Sequence, residues 1–426
     1  MKKDSYEIED GVCAVEFNEP GELTRERVDK IFDLLEVKRC DSVDVEVGEN
    51  VTAIGESAFR MKLRIESVYI SEGVSVVGKD AFYGCQRIKE LEIPRSVTKL
   101  CSGAFSGCLS LKTIYIPQGV NRIEGSTFKL CHGLEAINVD KHNKAYKSVD
   151  GTLYTKDGRV LVRYPISRKD TFFAIPQGVE EIGDYAFYRC AHLETVELPQ
   201  SVKVIGNSAF FECKAMNLLE IPRGVWSIGD EAFSGCKMIS TVKIPQSVTE
   251  IGSGAFCDCA SLASITVEEN NGVYKSIDGN LYSNDGQTFV QYANGKKESS
   301  FVIPEGVSII GDSAFSGCQR LMSLEVPKTL TVIGKEAFAR CEALIGIDIP
   351  RGLVSIGDHA FSDCYSFTTI NIPKSVTYIG DHISFGCYAL TIFTEAEEQP
   401  ETWHPSWNRM NCTVMWGMGK PDGEQG

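Results

Sequence analysis

The sequence contains no apolar run that approaches the roughly 20 residues needed to cross a bilayer. Positive charge is also in short supply, since 43 Lys and Arg stand against 58 Asp and Glu, a formal net charge of −15. Nucleic acids attract proteins with concentrated Lys and Arg, and anionic membranes repel acidic ones. We therefore expect no membrane insertion and no nucleic-acid partner.

Catalytic and metal-binding motifs are scarce. The sequence has no Gly-x-Ser-x-Gly, phosphate-binding loop, His-Glu-x-x-His or Cys-x-x-Cys. Of the six histidines, His359 and His382 lie 23 residues apart beside Asp358 and Asp381, a set that can hold a divalent cation. Equivalent positions elsewhere hold ordinary polar residues, which favours solvent exposure. We therefore predict no enzyme, no metal and no cofactor.

An apolar export segment is not seen at the start, where Met1 is followed at once by charged residues. Two interpretations stay open. Either the protein remains in the cytoplasm, or the sequence is that of a form from which a signal peptide has been removed.

The sequence does have a strict repeat of the pair Ala-Phe, with steps of 23 residues (82 − 59 = 23, 233 − 210 = 23). Such a period is typical of a solenoid, whose stacked coils bury their apolar faces against one another, so the 426 residues need not be divided into globular domains. The repeated phenylalanines are Phe59, Phe82, Phe105, Phe187, Phe210, Phe233, Phe256, Phe315, Phe338 and Phe361.

The repeated pattern predicts a short strand followed by turns in each coil. Ile114 and Ile116 alternate with polar residues, which indicates a strand with one face in the core, and Pro117 ends it. The segment from Ala-Phe to the next Cys is long enough for one helical turn only. The glycine of the recurring Ile-Gly pair is expected to adopt a backbone conformation closed to other residues. These glycines include Gly183, Gly206, Gly229 and Gly252.

Eleven of the 16 cysteines share one place in the repeat, three residues after the Phe position. Buried free thiols are the favoured interpretation, with axial disulfides between coils as the alternative. On the favoured interpretation, denatured and unreduced protein has close to 16 reactive thiols. The eleven are Cys85, Cys108, Cys131, Cys190, Cys213, Cys236, Cys259, Cys318, Cys341, Cys364 and Cys387.

Two longer intervals interrupt the repeat, one from Phe128 to Phe187 and one from Phe256 to Phe315. Each is 59 residues long (187 − 128 = 59, 315 − 256 = 59). Their extra residues resemble each other and contain Asp157-Gly158 and Asp285-Gly286, which favour β-hairpins. We predict hairpin inserts near residues 140–172 and 268–300. The inserts are a second candidate for recognition, because loops on a rigid scaffold often bind partners.

Both ends differ from the repeat, as the ends of a stack must if its apolar faces are to be covered. Residues 1–43 predict an N-terminal cap with a strand, Val12–Phe17, and a helix from Leu23 to Lys38. The solenoid is assigned to 44–392, and 393–426 to a C-terminal cap with a frayed tail. Its tryptophans, Trp403, Trp407 and Trp416, are expected to plug the last coil; an exposed aromatic site is the alternative.

The repeated pattern, Leu-x-x-Ile-x-Ile-Pro-x-x-Val-x-x-Ile-Gly-x-x-Ala-Phe-x-x-Cys, resembles that of the BspA-like leucine-rich repeat proteins over roughly residues 44 to 416. The resemblance implies an α/β repeat fold: a curved, right-handed solenoid of short strands and short helical turns, with two β-hairpin inserts and terminal caps. It also implies a chain without catalytic residues. More loosely, it implies a bacterial surface protein that adheres to host, matrix or other cell surfaces.

One residue of each strand, between the two apolar ones, must face outward. Five of the eleven residues in this row are acidic, and two tyrosines lie at its N-terminal end, which suits a basic protein surface. A solvated face that keeps the strands soluble is the alternative. The candidate ligand-binding residues are Tyr69, Glu92, Tyr115, Glu197, Glu220, Lys243, Glu325 and Asp348, with Asn138, Thr266 and Asn371 in the same row.

The sequence thus favours a non-catalytic protein-binding scaffold, at the cell surface or secreted, with a protein partner and a glycan as a further possibility. The alternative is an intracellular structural or regulatory repeat protein. An enzyme would require a convergent cluster of catalytic groups that the sequence does not contain.

Overall fold

The computed structural model describes residues 3–9, 11–38 and 40–418. Their contacts divide into two compact units. The first contains residues up to 193 together with 204–213, and the second contains residues 194–203 together with 214 onward. Each unit is a stack of parallel β coils, and the described residues contain one helix, α1 (Arg25–Lys38). No helix among them is long and apolar enough to cross a membrane.

The strands are short and numerous. Those up to residue 182 are β1 (Ser5–Glu9), β2 (Val12–Phe17), β3 (Gly21–Leu23), β4 (Ser42–Val47), β5 (Val51–Ile54), β6 (Ile65–Ile70), β7 (Val76–Val77), β8 (Glu90–Glu92), β9 (Lys99–Leu100), β10 (Thr113–Ile116), β11 (Arg122–Ile123), β12 (Ala136–Val139), β13 (Tyr146–Val149), β14 (Thr152–Thr155), β15 (Val160–Arg163), β16 (Phe172–Ala174) and β17 (Glu181–Ile182). Those that follow are β18 (Thr195–Glu197), β19 (Val204–Ile205), β20 (Ser227–Ile228), β21 (Thr241–Ile244), β22 (Glu250–Ile251), β23 (Ser264–Val267), β24 (Tyr274–Ile277), β25 (Asn280–Ser283), β26 (Thr288–Gln291), β27 (Ser300–Val302), β28 (Ile309–Ile310), β29 (Ser323–Glu325), β30 (Val332–Ile333), β31 (Gly346–Ile347), β32 (Ser355–Ile356), β33 (Thr369–Ile372), β34 (Tyr378–Ile379), β35 (Thr391–Thr394) and β36 (Thr413–Met415).

Equivalent strands of neighbouring coils pair in parallel. In the first unit β6 pairs with β8, so that Ser67 faces Glu90, and β10 pairs with β12. In the second unit β27, β29, β31, β33, β35 and β36 form one sheet in chain order. In the regular coils the partner of a residue lies 23 positions along the chain (90 − 67 = 23), which confirms the coil length that the Ala-Phe period predicts; towards the C-terminal end, in β33, β35 and β36, the separation is 22 (391 − 369 = 22). A second row of two-residue strands, such as β7 and β9, closes the other side of each coil.

The core of each unit is a stack of aromatic rings. Phe59, Phe82 and Phe105 lie one above another, with centroids 4.9 Å and then 5.7 Å apart. In the atypical coils that carry the inserts, Tyr164 and Tyr292 occupy the Phe position, each 23 residues before the next Phe. Each ring stack therefore begins one coil before Phe187 and Phe315, which the Ala-Phe pattern alone does not reveal.

The segment around each Ala-Phe pair is a turn in place of the predicted helical turn. Ser57 and Met61 both have positive φ, 56° and 61°, which prevents regular helix. Within the coil, the Arg60 N–H donates to the Ser57 carbonyl at 3.1 Å. The Phe59 N–H donates to Ala81 of the next coil at 2.7 Å. Alternate amides thus join neighbouring coils, so the turns stack as a third hydrogen-bonded ladder.

The prediction for the Ile-Gly glycines is wrong, because Gly183, Gly206 and Gly252 do not have positive φ. Their role is to permit close approach. A Cβ at Gly206 would lie 2.7 Å from the backbone nitrogen of Asp184 in the preceding coil. Real Cβ atoms essentially never come so close, so the backbones of adjacent coils touch here without room for a side chain.

The eleven aligned cysteines are free and buried, which confirms the favoured interpretation. The Cys85 thiol donates to the Phe59 carbonyl of the preceding coil at 3.0 Å, and Cys387 does the same to Phe361. Burial raises the pKa of Cys85 to about 12. The expected total of 16 free thiols is wrong, however, because a disulfide joins Cys13 to Cys40 outside the repeat.

The strand β2 spans the predicted Val12–Phe17, but the helix α1 begins at Arg25 and not at the predicted Leu23, which ends β3. Thr24 Oγ1 accepts a hydrogen bond from the Arg27 N–H at 3.4 Å and caps α1, and Val28, Phe32 and Leu35 bury one face of the helix. The disulfide closes the loop that contains this helix and fixes it to β2.

Candidate binding surfaces

The outward-facing row exists in both units and its residues point to solvent, as the period-two pattern predicts. In the first unit Glu16 pairs with Glu46, Glu46 with Tyr69, and Tyr69 with Glu92, along β2, β4, β6 and β8. Tyr69 is 52% exposed although it lies mid-strand. The row thus sets acidic groups and an aromatic ring side by side on a rigid sheet.

Tyr115 continues the row beside Asn138 and is 51% exposed. Its hydroxyl donates a hydrogen bond to Asp140 at 2.9 Å, and this bond raises the pKa of Tyr115. The backbone N–H of His142 lowers the pKa of Asp140, as does Tyr115. The ring is therefore held in one orientation by a carboxylate that stays ionised.

In the second unit the row begins with Glu197 and Glu220, on adjacent coils joined by the Thr195–Leu218 bridge. Lys243 follows but is neutralised by Glu268, with Nζ and Oε1 2.9 Å apart. Thr266, Glu325 and Asp348 are also exposed, while Asn371 is half-buried.

Four acidic members of the row differ from many acids on the coil edges. Among the described residues, no cation forms an ion pair with Glu92, Glu197, Glu220 or Glu325. By contrast, the acids on the edges of the coils are often paired, as Glu66 is with Lys89 at 2.7 Å. The row is therefore a source of uncompensated negative potential.

A groove of about 370 Å³ lies over the N-terminal end of the row. Tyr6, Glu7, Glu16, Glu46 and Tyr69 are among its lining residues, so its walls are acidic and aromatic. The sequence prediction missed this extension, because it began the row at Tyr69. The alternation Val43-Asp-Val-Glu-Val47 carries the signal, since it places Asp44 and Glu46 outward by the same rule.

A second groove, of about 730 Å³, lies beside Lys243. Arg223, Lys243 and Glu268 line it, and the hydrogen bond from Lys243 lowers the pKa of Glu268. Because these charges satisfy one another, this groove offers a partner less electrostatic attraction than the acidic row does.

The inserts are antiparallel: β13 pairs with β14 and β14 with β15, and β24–β26 pair in the same way. Their shared residues are anchors. Asn143 donates to the carbonyls of Pro117 and Val120, while the Tyr146 hydroxyl accepts from the Ile123 N–H at 2.9 Å. Asn271 and Tyr274 repeat these bonds in the second insert. Attachment to the stack therefore accounts for the shared asparagine and tyrosine of the two inserts.

The tail tryptophans pack inward. Trp403 and Trp407 are buried with ring centroids 5.0 Å apart, and Trp403 Nε1 donates to the Val376 carbonyl at 3.2 Å. Trp416 packs against the same core. They plug the last coils, as the sequence predicts.

One group of potential metal ligands occurs among the described residues, namely His359, Asp381 and His382. All three are half-buried, so the expected solvent exposure is wrong. Asp358 is not part of the group, because its Oδ1 accepts the Asp381 backbone N–H at 2.7 Å.

With this geometry established, the chain can be compared with known proteins. A model of the BspA type leucine rich repeat region matches residues 38–149, 167–287 and 290–399, in six copies. The chain belongs to this family. No curated protein matches this BspA-type chain.

Two solved structures share the fold of this BspA-type protein. A leucine-rich repeat protein from Eubacterium ventriosum is 23% identical, with a TM-score of 0.53, over 85% of this chain and 93% of the other. The pneumococcal vaccine antigen PcpA is 15% identical, with a TM-score of 0.51, over 98% and 97%. At these identities the likeness shows the repeat architecture alone.

Proposed function

We propose that this BspA-type chain is a non-catalytic scaffold that binds a basic protein surface along its outward-facing row. The observation that carries the proposal is the uncompensated charge of Glu92, Glu197, Glu220 and Glu325 on rigid strands, with Tyr69 and Tyr115 exposed beside it. Tyrosine is a favoured anchor at interfaces, and acidic residues attract Lys and Arg of a partner.

The row is suited to an extended partner. Neighbouring strands of a sheet lie roughly 4.8 Å apart, so the row presents side chains at regular intervals without the ordering entropy that a mobile loop would lose. Basic residues spaced along a partner surface can contact several carboxylates at once. Such an interface forms quickly and weakens as salt is added.

The same proposal places the protein at the bacterial cell surface or outside the cell, where it adheres to host, matrix or other cell surfaces. The Cys13–Cys40 disulfide supports export, because disulfides persist in oxidising compartments. The thiols of the repeat are buried and hydrogen-bonded, which protects them there.

In this proposal residues 44–392 form the scaffold, residues 1–43 cap one end, and 393–426 form a cap and a tail; the predicted frayed end of that tail, residues 419–426, lies outside the described residues. Within each unit we expect a right-handed winding of the coils, as the family resemblance implies and as crossovers between parallel strands generally have. The row contains carboxylates, tyrosines and amides together with Lys243 and Thr266, and Lys243 is paired with Glu268, which supports a role without catalysis.

The test is charge reversal with a matched control. Glu197→Lys with Glu220→Lys changes the net charge from −15 to −11, as does Glu250→Lys with Glu342→Lys, two exposed acids outside the row (−15 + 4 = −11). Binding to a panel of basic and acidic host and matrix proteins is measured by surface plasmon resonance. We expect basic members to bind and the row variant to weaken binding at least about 10-fold more than the control. Equal effects of the two variants, or preference for acidic partners, would refute the proposal.

A further inference from the structure

Two histidines and a carboxylate converge near the C-terminal end of the second unit. Each of His359, Asp381 and His382 offers one ligand atom within 4.8 Å of the others. His359 and His382 occupy the same place in successive coils, two residues before the Phe position, with φ of 54° and 50°. The repeat therefore stacks their rings, with centroids 5.4 Å apart and planes 17° from parallel.

The atoms at the centre of this cluster lack hydrogen bonds. Asp381 Oδ1 and His382 Nδ1 are both buried and touch each other, yet neither has a partner with hydrogen-bond geometry. Burial of a polar group without a hydrogen-bond partner is unfavourable. A bound cation would satisfy both atoms at once, because each presents a lone pair.

A neighbouring hydroxyl sets the tautomer of His359. Ser362 Oγ donates its single hydrogen to the His382 carbonyl at 3.3 Å, so it accepts from His359 Nδ1–H at 3.1 Å. His359 Nε2 then carries the free lone pair. Metal-binding histidines are oriented in this way, by a hydrogen bond from the ring nitrogen that does not bind the metal.

We propose that His359 Nε2, Asp381 and His382 bind a divalent transition-metal ion of the zinc class. Two imidazole nitrogens and one carboxylate oxygen suit Zn²⁺ better than Ca²⁺ or Mg²⁺, which prefer oxygen ligands. Bond lengths of about 2.0–2.2 Å require the three donors to lie roughly 3.4 Å from one another. The contact between Asp381 and His382 must therefore open while donors up to 4.8 Å apart approach, changes that side-chain rotation can supply. The remaining coordination position is left for water or for a group from a partner.

The site also touches the C-terminal segment. His404 Nδ1 lies 3.2 Å from Asp381 Oδ1, and the backbone N–H of His404 donates to Ile379 at 2.8 Å. Metal binding at Asp381 is therefore expected to stabilise the attachment of this segment to the last coils, and to raise the melting temperature.

The experiment uses the full, untagged chain after treatment with EDTA. Zn²⁺ binding is measured by equilibrium dialysis with elemental analysis, and by the shift in melting temperature. The variants are His359→Ser and His382→Ser, because Ser57, Ser208 and Ser313 occupy the same position with the same backbone conformation in other coils. His142→Ser is the matched control, since His142 also lies beside a carboxylate, with Nδ1 3.3 Å from Asp140 Oδ1, but lacks a second histidine.

We expect about one Zn²⁺ per chain, bound in preference to Ca²⁺ and Mg²⁺, with affinity at least about 100-fold weaker in either site variant and unchanged in the control. Zn²⁺ should raise the melting temperature of the parent chain and the control but not of the site variants. Metal-free melting temperatures should be alike in all four proteins. Failure to bind Zn²⁺, or binding that both site variants retain, would overturn the proposal and leave His382 and Asp381 as an ion pair.

Discussion

At the scale of the residue, the distance between the backbones of neighbouring coils determines which side chain fits at each position. The Ile-Gly glycines stand where a Cβ would meet the backbone of the preceding coil, and the aligned cysteines stand where a thiol meets the carbonyl of the preceding Phe. Both are consequences of stacking. A glycine in a repeat can therefore mark close contact between coils as well as a strained turn, which the sequence alone does not distinguish.

Gly206→Ala should destabilise the protein by about 1–3 kcal/mol, the usual effect of forcing an extra carbon into a packed site. Its Cβ would lie 2.7 Å from the Asp184 backbone nitrogen, and backbone cannot move aside as a side chain can. The control is Gly272→Ala, where nothing lies within 4 Å of the added carbon and φ is ordinary. Urea denaturation compares the two variants, and equal midpoints would contradict the stacking account.

Thiol counting tests the cysteine assignments. Denatured protein without reductant should react with 14 equivalents of a thiol reagent, and with 16 after reduction (16 − 2 = 14), because only Cys13 and Cys40 are joined. Native protein at pH 8 should react slowly, since burial raises the pKa of Cys85 and Cys190 to about 12. A count of 16 reactive thiols without reductant would show that the Cys13–Cys40 disulfide is absent. A count well below 14 would indicate disulfides between coils.

At the scale of the element, each insert is held to the stack by one buried asparagine. Asn271 Nδ2 donates to Pro245 and Val248, and its Oδ1 accepts the N–H groups of Val273 and Tyr274. One side chain thus satisfies four backbone groups at the point where β24 begins. The same arrangement at Asn143 explains why two distant segments share a sequence.

Asn271→Ala should lower the free energy of unfolding by about 1–3 kcal/mol or more, because buried backbone groups lose their partners. Asn217→Ala, which removes an exposed amide, should change it by less than about 0.5 kcal/mol. Thermal unfolding followed by circular dichroism measures both. If the two variants melt alike, the asparagine is not the anchor that its contacts indicate.

The regular coils could be predicted from sequence because every coil packs in the same way. Apolar residues therefore alternate with polar ones in each strand, and the whole pattern repeats every 23 residues. The atypical elements could not. Tyr164 replaces Phe in the ring stack, so the Ala-Phe pattern skips its coil, although the 23-residue spacing to Phe187 carries the signal. The clustering of His359 with His382 follows from their spacing, but their burial depends on the C-terminal segment that covers them, which the repeat does not encode.

At the scale of the whole molecule, charge is distributed by role. Several acids on the coil edges form ion pairs, as Glu66 does with Lys89, whereas no cation among the described residues pairs with Glu92, Glu197, Glu220 or Glu325 of the outward-facing row. Self-repulsion along the row opposes folding slightly, while its charge helps to keep the strands soluble. In the proposed function, a partner supplies positive charge to the row and contacts its tyrosines.

Carboxylate footprinting of the chain with a bound basic partner tests this claim most directly. Carbodiimide coupling followed by mass spectrometry reports the reactivity of each exposed carboxylate, with and without the partner. The account predicts that Glu92, Glu197, Glu220 or Glu325 are protected while Glu250 and Glu342 react as before. Protection confined to acids outside the row would contradict it and move the binding surface to another face of the coils.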